Sequence, residues 1–164
     1  MDSAARDRLA FVLIAPGEPL EVREAAAVEL AAAGDRRAFE TLALLLNYRD
    51  ESRAVSAADA LLRLADPRTG RAAAALVTND LRTAYALPAI RLLAELRAPE
   101  AVPALAGTLE RLAGEAPLVH ERIALACVEA LAGLEPTPAS RRALRAAAGH
   151  PRLAEAATAA LGEG

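Results

Sequence analysis

Apolar and polar positions along this chain recur with the period of a helix rather than of a strand. Between residues 26 and 46, Leu30 and Ala33, then Phe39, Leu42 and Leu46, follow the three-and-four spacing of one buried stripe per helix. A similar pattern returns with Ala89, Leu92, Leu93 and Leu96, and again with Val102, Leu105, Leu109 and Leu112. Breaks fall between the stripes at Gly34-Asp35, Asp66-Pro67, Ala98-Pro99 and Glu135-Pro136-Thr137-Pro138. Proline is tolerated in a first helical turn, where its missing N–H would have had no partner, and Asp35 and Asp66 are suited to cap the helices that follow. The pattern predicts helices near 3–14, 20–33, 36–48, 51–65, 67–78, 81–97, 99–113, 117–133, 137–148 and 151–162. Pro88 falls inside the sixth and is expected to kink it, because it removes a backbone donor and crowds the preceding turn.

The first helix of each pair carries a short recurring signature: an acidic residue or His, any residue, Arg, any residue, then Ala or Val. Its copies are Glu21-Val-Arg23-Glu-Ala25, Glu51-Ser-Arg53-Ala-Val55, Asp80-Leu-Arg82-Thr-Ala84, His120-Glu-Arg122-Ile-Ala124 and His150-Pro-Arg152-Leu-Ala154. The arginines stand 30, 29, 40 and 30 residues apart. The unit is thus a helix, a tight turn and a second helix. One such pair cannot bury its stripe alone, so neighbouring pairs are expected to stack into a continuous core. The recurrent Arg reads as a residue bridging adjacent repeats.

Composition sharpens this picture. Of 164 residues, 45 are Ala and 27 are Leu, while Trp, Lys and Gln are absent. Small side chains let helix axes approach closely, and the leucines fill the grooves between them. The length suits one domain, and sparse aromatic and β-branched residues exclude an all-β fold. The 19 arginines against 22 acidic residues leave a net charge of −3, which provides no global attraction to nucleic acid or to an anionic membrane. Charges interrupt every apolar run before it reaches the roughly 18 residues of a membrane span. The N-terminus does not look like a signal peptide, and a single Cys excludes an internal disulfide, so a cytoplasmic location is expected. Cys127, in Ala-Leu-Ala-Cys-Val-Glu-Ala-Leu, reads as a small apolar core residue.

The stretches from Glu21 to Ala38 and Pro99-Glu-Ala-Val-Pro-Ala-Leu105 resemble the short, Ala-rich HEAT-repeat proteins of bacteria. The resemblance extends from about residue 18 to the C-terminus and rests on repetition rather than on one motif. It implies an all-α fold, an α-solenoid of about four HEAT-like helix pairs (18–150) between an N-terminal capping helix (1–17) and a C-terminal one (151–164). It also implies a non-catalytic interaction module or adaptor that presents the second helices along a concave face. On that face the expected partner-binding set is Arg37, Tyr48, Arg68, Arg71, Arg111, Arg141 and Arg145, offering donors to a protein or peptide with acidic groups. Leu44 lies with Tyr48 on the same expected surface.

Catalytic readings are weaker. In HEAT-like deoxyhypusine hydroxylases, His-Glu pairs in several repeats build a di-iron site, and His120-Glu121 resembles one of them. Only one such pair exists here, and His150 is followed by Pro151, so no metal or cofactor is expected and both His residues read as polar helix starts. No Gly-x-Ser-x-Gly elbow or phosphate loop is present. Phycobilin lyases share HEAT-like repeats, which is a likeness of fold alone. The remaining alternatives are a HEAT-class enzyme subunit, hydroxylase-like or lyase-like, and a nucleic-acid binder like the helical-repeat DNA glycosylases. The latter is disfavoured by net charge, scarce aromatics, and Glu40 and Glu100 on the arginine face.

Overall fold

The computed structural model describes residues 1–162, and within them the chain is all-helical, with no strand. Its α-helices are α1 (Ser3–Ile14), α2 (Leu20–Ala32), α3 (Phe39–Leu46), α4 (Glu51–Leu64), α5 (Thr69–Val77), α6 (Leu87–Leu96), α7 (Ala101–Ala113), α8 (Glu121–Ala132), α9 (Pro138–Ala148) and α10 (Ala154–Leu161). Short 3-10 turns at Arg36–Ala38 and Asp80–Tyr85 precede α3 and α6. No described helix is long and apolar enough to cross a membrane.

The chain divides into two compact units, 1–72 and 73–164. In the first, α2 packs against α1, α3 and α4, and α3 packs against α4. Its core is built from Leu30, Leu42, Leu45, Leu46 and Leu61, all fully or almost fully buried, with Ala27, Ala31 and Ala57 between them. In the second, α8 packs on α6, α7 and α10, and α9 packs on α7 and α10. Ile90, Leu93, Leu105, Leu109 and Leu112 fill that core, and Leu131 and Leu144 extend it toward α10. The predicted stripes are therefore the buried ones, although Ala33, Leu96 and Val102 at their margins are only half-buried.

Several expected helices begin later than the periodicity suggested. The segment 81–97 is not one kinked helix: a 3-10 turn ends at Tyr85, α6 starts at Leu87, and Pro88 lies in its first turn. Proline is accommodated there because the first turn has no intrahelical use for its missing N–H. The helix expected from 117 starts at Glu121, since Leu118 turns into the core and the His120 carbonyl accepts the first helical bonds from Ile123 and Ala124. Pro151-Arg152-Leu153 forms a turn held by the Leu153 N–H donating to the His150 carbonyl, and α10 starts only at Ala154.

The turns inside the repeats follow local chemistry. After α2, Gly34 adopts φ 71°, a left-handed conformation open to glycine at no steric cost, and Ala65 and Arg97 hold the same region after α4 and α6 at φ 51° and 48°. Asp35 and Asp66 then accept the backbone N–H of Arg37 and Arg68, as expected of helix caps. Thr137 caps α9 through a reciprocal box with Ser140.

Candidate functional site

Two of the arginines read as partner donors are neutralised within the protein. Arg37 grips Asp35 in a two-pronged pair, with its shortest contact at 2.6 Å, and reaches Asp7 of α1 at 2.8 Å. Arg68 repeats the arrangement: its guanidinium pairs with Asp66 and with Glu40 of α3, each at 2.9 Å, and its central carbon lies 4.0 Å from the centroid of the Phe39 ring. The neighbouring guanidinium, Arg37 for Asp35 and Arg68 for Asp66, holds each aspartate carboxyl below its ordinary range, and the carboxylates raise the arginines in turn. These two residues tie one helix pair to the preceding helices.

Arg111 is also engaged, donating to Thr83 Oγ1 at 3.1 Å and lying 3.9 Å from Glu115. Tyr48 is half-buried, with Arg53 5.6 Å above its ring, whereas Leu44 is 60% exposed. Arg71, Arg141 and Arg145 are exposed and form no ion pair with another described residue. Arg141 and Arg145 stand one turn apart on α9. Between them in sequence, Arg142 is bound to Glu110 of α7 at 2.8 Å. The structure thus leaves three of the six expected arginines available as donors without first breaking an internal contact.

The signature arginines Arg53 and Arg152 act between copies. Arg53 of α4 meets Glu24 and Glu21 of α2 at 3.0 and 3.4 Å, and Arg152 meets Glu121 at 2.9 Å. Arg23 instead donates to the Ala15 carbonyl, and Arg82 stacks on Tyr85 within its own turn.

That pairing commits the Glu121 carboxylate to Arg152, while His120 faces Glu115, with Nδ1 3.7 Å from Oε2. His150 Nδ1 accepts the Arg152 backbone N–H. Among the described residues no group of three His, Cys, Asp or Glu side chains converges as metal ligands would. Cys127 is fully buried, and burial pushes its thiol up to about 12.

One feature of the second unit lies outside the recurring signature. The turn positions can be superposed by their buried residues, Ala38, Thr69, Ala101 and Ser140, and one turn later Leu42, Ala73, Leu105 and Leu144. In that register Asp35 and Asp66 correspond to Ala98 and Thr137, and Arg37 and Arg68 to Glu100 and Ala139. Phe39 and Glu40, on which Arg68 lies, correspond to Val102 and Pro103. An open cleft of about 500 Å³ lies between the start of α7 and the turn before α9, with Ala139 in its lining. Pro99, Val102, Pro103, Leu134 and Ala139 make it apolar, and Arg97 and Glu135 stand at its margin. Its signal in the sequence is a departure, the loss of Asp-x-Arg from the third and fourth turns.

Comparison with known proteins finds no matching family model and no matching curated protein.

Proposed function

We propose that this protein is a non-catalytic, cytoplasmic interaction module of the HEAT-like α-solenoid type, binding a protein or peptide partner with acidic groups. The observation that carries the reading is the pair Arg141 and Arg145, two exposed guanidinia one turn apart on α9 with no carboxylate among the described residues to satisfy them. Arginine is suited to this task because its planar fork binds a carboxylate through two parallel hydrogen bonds. Support for the solenoid comes from the packing of each unit, in which α2 meets α4, α6 meets α8 and α7 meets α9 across one intervening helix, and from the ion pairs that join successive copies. The expected concave set contracts to its unpaired members, while Arg37 and Arg68 serve the scaffold.

Affinity capture with the immobilised full chain, followed by binding measurements on the purified partner, tests the proposal. The double variant Arg141→Glu with Arg145→Glu is expected to weaken that partner at least tenfold at low salt while leaving the helical circular dichroism unchanged. Equal affinity of the double variant and the wild type would remove α9 from the interface and with it the acidic-partner reading.

A further inference from the structure

No further inference is drawn: the strongest candidate, the apolar cleft between the start of α7 and the turn before α9, carries nothing because Arg97 and Glu135 at its margin are of opposite sign and nothing in the structure shows what covers it.

Discussion

The guanidinium of Arg68 lies 4.0 Å from the centroid of the Phe39 ring while the same group is bound by Asp66 and Glu40. One side chain thereby joins the turn before α5 to the start of α3. Its three contacts are of two kinds, ion pair and cation–π, and substitutions separate them. Arg68→Ala is expected to lower stability modestly, through loss of the cation–π attraction and of two ion pairs screened by solvent. Arg68→Lys should recover only part of this, because an ammonium has no flat face for the ring and no fork for Asp66. Urea denaturation of the two variants checks the order, and a Lys variant as stable as wild type would contradict it.

Asp35 and Asp66 give the protein an acid limit. Their carboxyls titrate below the usual carboxylate value because Arg37 and Arg68 bind the charged form. A group with a depressed folded pKa contributes its full stability above the unfolded value of about 3.9 and loses it as pH falls through the folded value. Stability is therefore expected to be level near neutrality and to fall from about pH 5 downward. Asp66→Asn should lower stability at pH 7 and flatten part of that acid slope. Melting temperatures measured between pH 3 and pH 7, with and without the substitution, provide the test.

The leucine stripes, rather than the many alanines, are expected to dominate stability. Leu30, Leu93 and Leu131 are almost completely buried, and truncation of each to Ala should cost about 2–5 kcal/mol through lost transfer energy and the cavity left behind. Unchanged denaturant midpoints for all three would contradict the packing.

Thr69 is nearly fully buried, and its Oγ1 has no hydrogen-bond partner among the described residues, whereas the corresponding positions in two other repeats are Ala38 and Ala101. Thr69→Val keeps the shape and removes the unsatisfied hydroxyl. A gain of about 1 kcal/mol is expected, within the roughly 1–3 kcal/mol that such a group costs. A lower melting temperature would show that the hydroxyl has a partner in solution.

Cys127 is enclosed among α8 core residues, and its thiol is pushed up to about 12 by burial. Native protein at pH 8 should react with a thiol-specific disulfide reagent only as fast as it unfolds, and denatured protein at once. Rapid labelling of the native chain would disprove the closed core around α8.

Much of the helical architecture was legible in the residue pattern. The three-and-four spacing of Leu42, Leu46, Leu105 and Leu109 defines buried stripes whatever the final packing, and Gly34, Asp35 and Asp66 act on neighbours within a few residues. Pro88 shows the limit, since the same proline suits a kink or a first turn, and only the position of the preceding 3-10 turn selects between them.

Partnership was less accessible. Arg37, Arg68 and Arg141 are alike as residues on second helices, yet the first two find carboxylates on α1 and α3 and the third finds none among the described residues. Local periodicity determines which face a side chain occupies, because helix geometry depends on neighbours along the chain. Whether that face meets Glu40, an open cleft or water depends on residues some thirty positions away, and stacking of the helices brings those together.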